Sequence, residues 1–555
     1  MKYPPFFLIF TLLLGLLPGS VVGLETPIVF TQAPAHKRGE LCGDGSRLVV
    51  FDPANGPTVI TPEFSSACDP DVSFDGRRVL FAGKSEPADP FNIFELGLDG
   101  EPARQLTRDM GDCREPLYLP KASVTAPLFD DLVPWMAFTS TAHGGLNEGG
   151  GGPLTSLYVT NLDPIKGRGT VVWRTTYGLG GDFSPTVLLD GRVLFSSHQA
   201  GQVKMMTVTW AGDNLNLFRP GKSENVQSMA CEIPGERSVV LVESHAPSRE
   251  GRLAEVSLRR PLHLHEILST DTGRYLTPHP TSDGRILVSY ANGATDYGIY
   301  LFDREASTVG TTIFDDPDWN DVDAIELAPH PEPLARIPML EFASVLDIEG
   351  FEDAGQLHCM SVYDSDQEAI QKLEPGSVKW ARFIQGVPLS IEDQERCRST
   401  ADERDWPPPC VETRILGEAP VEKDGSFFVN ITGNIPFFIE LLDKDRKTLH
   451  SMESWIWIRS KSQRGCIGCH ENKELSPQNR ATDALIKMQP TFVGTESPAT
   501  EEPRLISSHA QQENSHKKAQ KGTKKETQRD IPRNPVVAPE LLRKSSSTTD
   551  GEPQR

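Results

Sequence analysis

The sequence predicts a mainly β chain: a β-propeller of about six blades, a β-sandwich-like domain after it, and a short C-terminal haem-binding segment. Three observations lead there. A phrase of polar turn, Asp-Gly turn and short β-rich run recurs at intervals of roughly 45 to 60 residues, the length of one four-stranded blade. A proline-rich break follows, and behind it comes a new series of alternating strands. Near the end, Cys466-Ile467-Gly468-Cys469-His470 spells C-x-x-C-H, the attachment signature of a covalent c-type haem.

In chain order, Lys2 precedes an apolar stretch from Phe6 to Leu17, which ends at Pro18-Gly19 and the small residues Val21, Val22 and Gly23. That is the pattern of a secretory signal peptide over residues 1–23. The stretch is shorter than the about 20 apolar residues that span a bilayer, and no later segment is apolar enough. The mature chain is therefore expected without a membrane span, in the periplasm or otherwise exported.

The propeller is expected over residues 27–337. Its clearest repeats are Asp71-Val72-Ser73-Phe74-Asp75-Gly76-Arg77-Arg78-Val79-Leu80-Phe81, Ser184 to Phe195 around Asp190-Gly191, and Pro280 to Val288 around Asp283-Gly284. Asp-Gly supplies the positive φ that a tight hairpin needs between alternating apolar strands. Degenerate copies lie at Asp131 to Ser140 and Pro234 to Val242, and second hairpins at Asn92 to Leu98, Ser156 to Asp163 and Tyr297 to Asp303. One blade cannot bury its own faces, whereas a ring can. The theme resembles the TolB-type propeller repeat.

Pro331 to Pro338 reads as a linker, and residues 338–465 as a second, sandwich-like β domain with strands near Phe342, Val378, Thr413, Ser426 and Pro436 and a last one from His450 to Arg459. Residues 466–490 form the haem-binding segment. From 491 to 555 Ser, Thr, Pro, Glu and Lys dominate, and a disordered tail is expected.

At the hook, Cys466 and Cys469 have the spacing to form two thioethers with one haem, and His470 follows as the axial ligand of the iron. A zinc site short of its fourth ligand and a redox disulfide are the competing readings of the two thiols. For the sixth iron position the nearest candidates are His450 and Met452, with His358 behind them. Trp455 and Trp457 could pack on the porphyrin edge or in the domain core, and Arg480 could pair with a propionate. Two weaker metal patterns are an acidic loop, Asp316, Asp318, Asn320 and Asp323, which suggests calcium but has Asp321 where the EF-hand turn needs glycine, and His263 with His265, which alternate as zinc ligands on one strand would. Apart from the hook there are seven cysteines, an odd number; Cys397 with Cys410 is the expected disulfide.

A formal charge of −22 argues against nucleic acid and against anionic membranes as partners. It leaves basic partners open, such as a redox protein. No G-x-S-x-G occurs, which removes a propeller peptidase.

The segments Leu416-Gly417-Glu418-Ala419-Pro420 to Ser426, Ser451 to Trp455, Arg464 to Glu471 and Pro477-Gln478-Asn479-Arg480 together resemble the hydrazine synthase alpha-subunit family, over about residues 27 to 485. The resemblance implies a propeller with a c-type haem domain, exported and working with other haem-bearing subunits. It also implies a departure: one C-x-x-C-H stands here where the hydrazine-forming alpha subunit has two haems. Only Cys466, Cys469 and His470 carry over position by position. The first functional reading is thus an exported monohaem cytochrome that transfers electrons to or from a redox partner docked on the propeller. The alternatives are a haem enzyme or subunit acting on small nitrogen compounds, and a non-catalytic propeller scaffold.

Overall fold

The computed structural model describes residues 23–35, 41–122, 132–165, 169–220, 225–293, 296–335, 353–394, 397, 406–408, 410–469 and 480–494, with the backbone of 504–506. The signal-peptide residues 1–22, most of the predicted tail, and His470 lie outside the described residues.

Strands β1 (Ile28–Pro34), β2 (Arg47–Asp52) and β3 (Gly56–Val59) begin one blade. Blade 1 is β4 (Ser66–Val72), β5 (Arg78–Lys84), β6 (Asn92–Gly97) and β7 (Arg104–Gln105), and blade 2 is β8 (Cys113–Ala122), β9 (Val133–Ser140), β10 (Ser156–Asn161) and β11 (Thr170–Arg174). Blade 3 follows as β12 (Asp182–Val187), β13 (Arg192–Gln199), β14 (Gln202–Thr209) and β15 (Asn216–Arg219). Blade 4 is β16 (Asn225–Ile233), β17 (Ser238–His245), β18 (Arg252–Ser257) and β19 (His265–Ile267); blade 5 is β20 (Arg274–Pro280), β21 (Ile286–Ala291), β22 (Gly298–Asp303) and β23 (Thr308–Phe314). The sixth is closed by β24 (Trp319–Glu326), which pairs antiparallel with β1, so the two ends of the ring share one sheet.

The repeats fall where the ring needs them. Asp75-Gly76, Asp190-Gly191 and Asp283-Gly284 each join the first two strands of a blade, with the glycines at φ +72°, +84° and +86°. In each turn the aspartate accepts a hydrogen bond from the backbone N–H two residues on: Arg77, Arg192 and Arg285. That is the local reason for Asp at this position. Every innermost strand also carries one non-glycine residue in the left-handed region: Asp69 at φ 54°, Glu115 at 49°, Ser184 at 48°, Met229 at 55°, Thr277 at 42° and Asp323 at 59°. Left-handed backbone costs about 1 kcal/mol or more for such residues. Six equivalent bulges therefore encircle the channel.

Behind the ring, two four-stranded sheets form the sandwich. One sheet runs in the order β31 (Gln463–Cys466), β25 (Ala354–Cys359), β28 (Phe427–Thr432), β32 (Thr491–Val493). The other runs β27 (Val411–Pro420), β26 (Trp380–Pro388), β29 (Phe437–Leu442), β30 (Thr448–Ser451). Among the described residues the α-helices are short: α1 (Glu368–Gln371) and α2 (Asp483–Lys487). Two expectations are corrected here. Thr491–Val493 is a parallel edge strand on β28, so the sandwich continues past residue 490, and Arg504–Ile506 pairs with β11. The last predicted strand stops at Ser451 rather than Arg459, because the following residues leave the sheet to fill the seam with the propeller.

That seam is one continuous apolar core. Phe383, Phe427, Phe437 and Leu441 of the sandwich pack with Ile456, Trp457 and Ile458 and, through them, with Trp135, Trp173 and Trp210 of the propeller. Trp457 Nε1 donates to the Gly212 carbonyl at 3.0 Å, and Arg459 Nη1 donates to the Arg174 carbonyl and to Tyr177 Oη at 2.9 and 3.0 Å. Trp455 Nε1 donates to Glu148 Oε2 at 2.6 Å, while the Ala200 N–H donates to Oε1 at 2.7 Å. Trp455 and Trp457 are thus core residues, the second of the two roles the sequence allowed them. Each large buried aromatic of this kind is worth about 3–5 kcal/mol against alanine.

Burial raises the Glu148 carboxyl to about 7, against the pull of its hydrogen bonds to Trp455 and Ala200 and of the Lys204 charge. A carboxyl whose pKa is higher folded than unfolded stabilises fully below the unfolded value and loses that contribution as pH rises through the folded one. Glu148→Gln cannot titrate. The melting temperature of the wild type relative to Glu148→Gln is expected to fall between pH 5 and pH 8 in thermal melts; a constant difference would refute the raised carboxyl.

Candidate haem site

The hook is held by backbone before any cofactor is considered. Strand β31 lies parallel to β25, which puts Cys466 opposite Cys359. Beyond the strand, the Met360 N–H donates to the Cys466 carbonyl at 2.9 Å and the Ser361 N–H to the Ile467 carbonyl at 3.1 Å. A Cβ on Gly468 would stand 1.9 Å from the Asp364 carbonyl oxygen, so only glycine lets the loop close against that segment. Cys466 and Cys469 carry half-buried thiols. The disulfides are elsewhere, at Cys397–Cys410 as expected and at Cys42–Cys68.

Both thiols line a cavity of about 300 Å³ between blade 3 and the sandwich. The propeller contributes Met206, Leu215 and Leu217, and the sandwich contributes Phe427, Ile439, Leu441 and Ile456. Lys204, Asp366 and Arg464 bring charge to it. Two thiols at haem spacing on the wall of an apolar chamber, with cations able to meet carboxylates, form a donor set that fits covalent haem c. Among the described residues, no group of three His, Cys, Asp or Glu ligand atoms lying within 4.8 Å of one another includes these thiols.

His450 and Met452 line the same cavity, because β30 pairs with β29 at Leu441↔His450 and the Met452 N–H returns to the Ile439 carbonyl at 2.9 Å. Burial lowers the His450 pKa, against an opposing pull from Glu453, which favours the neutral imidazole that can ligate iron or take a proton. Met452 packs additionally into the cluster around Trp455 and Phe438.

Other candidates are placed elsewhere. His358 is tied by Nε2 to Thr482 Oγ1 at 2.8 Å and does not line the cavity. Arg480 is exposed and donates to the Met360 carbonyl at 3.4 Å; the guanidinium at the cavity is that of Arg464. Strand alternation carried that signal, since Arg464 and Cys466 are two apart on β31 and share a face. Lys204 has no such signal, because it comes from a blade some 260 residues away.

The calcium reading of the acidic loop does not survive the geometry. Asp321 is buried and occupied by Gln32 Nε2 and the Asp316 N–H at 2.9 and 2.8 Å, Asn320 Oδ1 accepts from the Tyr297 N–H, and Asp323 turns into the propeller channel. Pairing with β1 sets the first of these directions, and the bulge at Asp323 sets the last. His263 and His265 also separate. His263 sits in an exposed turn, and His265 Nε2 faces Glu243 Oε2 at 3.1 Å.

With this geometry in hand, residues 376–471, from the start of the sandwich's second sheet through the hook, match the model of the hydrazine synthase alpha subunit middle domain. The chain is hydrazine synthase alpha-like. It is 26% identical over 545 residues to the hydrazine synthase subunit alpha of Kuenenia stuttgartiensis, an alignment that covers 81% of this chain and 66% of that protein. The chain thus spans just under two thirds of that relative's length. The solved hydrazine synthase of Kuenenia stuttgartiensis superposes with a TM-score of 0.73 at 24% identity, covering 84% of this chain and 71% of that one. TolB from Acinetobacter baumannii shares 13% identity over 54% of this chain and 66% of its own, at a TM-score of 0.38, too low to add to the fold assignment. Among the described residues, no helix is long and apolar enough to cross a membrane.

Gly468→Ala is expected to push the hook away from Asp364 and to cost about 1–3 kcal/mol of stability. Haem content per chain and melting temperature measure it, and wild-type values for both would show that the close approach is dispensable.

Proposed function

We propose that this chain is an exported, haem c-bearing subunit of a hydrazine synthase-like assembly that acts on small nitrogen compounds together with partner haem-bearing subunits. The observation that carries the reading is the chamber itself. It brings the Cys466 and Cys469 thiols, the His450 imidazole and an apolar wall from blade 3 around one space, inside a domain that matches the hydrazine synthase alpha family.

In this reading Cys466 and Cys469 would hold a haem c through thioethers, and His470 would be a ligand of its iron. Bound there, haem would supply a redox iron able to exchange single electrons or to take up a small ligand. Leu215, Leu217, Phe427 and Ile439 keep bulk water from the chamber, which strengthens each electrostatic contact within it. Arg464 and Lys204 are the cations available to carboxylates at its rim; burial lowers the Lys204 pKa, opposed by Glu148 and Glu453. His450 faces the chamber as a neutral base, able to accept a proton from a protonated nitrogen species.

A second reading, simple electron transfer, is favoured by that same His450 and by Met452, since either could close the sixth position and shut out a substrate. Spectroscopy separates the two. The full chain, produced in a host competent for c-type maturation, is expected to carry one haem, lost in the Cys466→Ser/Cys469→Ser variant. A high-spin fraction that binds nitric oxide or hydroxylamine supports the nitrogen reading. A wholly six-coordinate, low-spin haem that becomes high-spin in His450→Ala or Met452→Ala replaces it with electron transfer. A colourless mature chain overturns both.

A further inference from the structure

Blade 3 has a second face. On the side away from the haem chamber it buries Leu194, Met205 and Phe218 in a core shared with Val239, Leu241 and Ala254 of blade 4. Beside that core a cavity of about 440 Å³ lies between β15 and the turn that joins β18 to β19.

Its walls are fixed by the chain itself. Arg219 of β15 reaches across to the turn, with Nη1 donating to the Pro261 carbonyl at 2.6 Å, and the turn closes on itself through the His263 and Leu264 N–H groups, which donate to the Arg260 carbonyl at 3.1 and 2.9 Å. The Leu258 N–H donates to the Arg237 carbonyl at 2.9 Å, which ties the start of the turn to the neighbouring hairpin. A ligand entering here orders little that is loose, and so loses little affinity to entropy.

The lining is cationic. Arg192, Arg259 and Arg260 contribute guanidiniums, and among the described residues no aspartate or glutamate lines the cavity. That is a local reversal in a chain of formal charge −22. Arg192 is held by Asp190, with Nη2 to Oδ2 at 2.7 Å, whereas the exposed Arg259 ion-pairs with no described residue.

One wall carries an unmet hydroxyl. Thr207 of β14 lines the cavity, is 1% exposed, and its Oγ1 has no hydrogen-bond partner. The strand register explains this: its cross-strand neighbours are Leu194, which has no polar side chain, and Asn216, whose Nδ2 donates instead to the Asn214 carbonyl at 2.8 Å. Thr209, two residues along β14 and on the same face, by contrast donates to the Asp213 carbonyl at 3.3 Å. A buried hydroxyl left unpaired is costly, and an acceptor supplied by a ligand removes that cost.

Guanidinium forks match a carboxylate, the Thr207 hydroxyl needs an acceptor, and Leu217, Phe218 and Leu258 add an apolar wall. Together they call for an acid with an apolar body. Inorganic phosphate would meet the cations and leave that wall uncovered. We propose that this cavity between blades 3 and 4 binds a carboxylate-bearing organic ligand through Arg259, Arg260 and Thr207. Leu217 and Leu262 also line the haem chamber, so the carboxylate has two sources within reach: a propionate of the haem, or a freely diffusing organic acid. The cavity and its donors do not rest on the haem reading.

The test titrates the full chain, made without c-type maturation and so haem-free, with benzoate and with benzamide, which has nearly the same shape and no charge. Ligand-observed NMR reads the binding, and thermal melts read its coupling to the fold. Benzoate is expected to bind and to raise the melting temperature, and benzamide to do neither. Arg259→Gln, at an exposed position that should fold, is expected to weaken benzoate binding by about tenfold or more. Thr207→Val, which keeps the shape and removes the hydroxyl, weakens it by about fivefold while melting no lower than the wild type without ligand. Arg285→Gln, at a hairpin turn outside the cavity, keeps wild-type affinity. In the haem-loaded chain, loss of benzoate binding identifies a propionate as the occupant, and unchanged binding identifies a free acid; both uphold the site. Absence of benzoate binding to the haem-free chain at tens of millimolar, equal binding of benzamide, binding of inorganic phosphate but not of benzoate, or wild-type affinity in both Arg259→Gln and Thr207→Val overturns the proposal. A chain that never takes up haem serves this test equally well, so the haem reading can fail while this one stands.

Discussion

The seam between blade 3 and the sandwich governs this molecule. Neither part can bury its apolar face alone: the outer strands of blade 3 present Met206, Leu215 and Leu217, and the sandwich presents Ile439 and Leu441 of its second sheet with Ile456 of the segment that follows. Trp457 and Arg459 fix the distance between the two by bonding to propeller carbonyls. The space that remains open in that otherwise packed boundary is the chamber holding the hook thiols. Ligand sites commonly form where two rigid units meet incompletely, because each supplies a wall that the other cannot move.

This dependence changes what the propeller is for. Read as a separate repeat domain, it is a docking platform with a haem domain attached. In the folded chain one of its blades is a wall of the chamber, and Lys204 of that blade bonds to the backbone of Glu453 at 3.1 Å. A mutation in blade 3 is therefore a mutation of the chamber. The axial channel lies on a different part of the ring, with its own carboxylates and strained bulges, so the two regions can be altered separately.

Much of the fold was legible in the text of the chain. Asp-Gly at 75–76, 190–191 and 283–284 announced hairpins, since aspartate bonds the turn backbone and glycine accepts positive φ, and the spacing of these phrases gave the blades. The hook was legible for the same reason: its function depends on residues a few positions apart. Misplaced features were those whose outcome depends on distant partners. The acidic residues 316–323 looked like a loop site, but pairing with β1 holds Asp321 against Gln32 and the bulge at Asp323 turns that residue to the channel. Residues 452–459 had strand character, yet Trp455 and Trp457 gain more by filling the seam than by pairing in a sheet.

The sequence alone determined the repeat, its turns, the thiol pair and the glycine between them, because each is enforced within a handful of residues by backbone geometry. Only the tertiary structure decided that His450 and Met452 share a cavity with those thiols while His358 does not, and that four carboxylates from three blades line one cavity on the propeller axis. Those outcomes follow from which strands lie side by side. Hydrogen-bonded register and shared apolar burial set that adjacency across hundreds of residues, where local patterning carries no information.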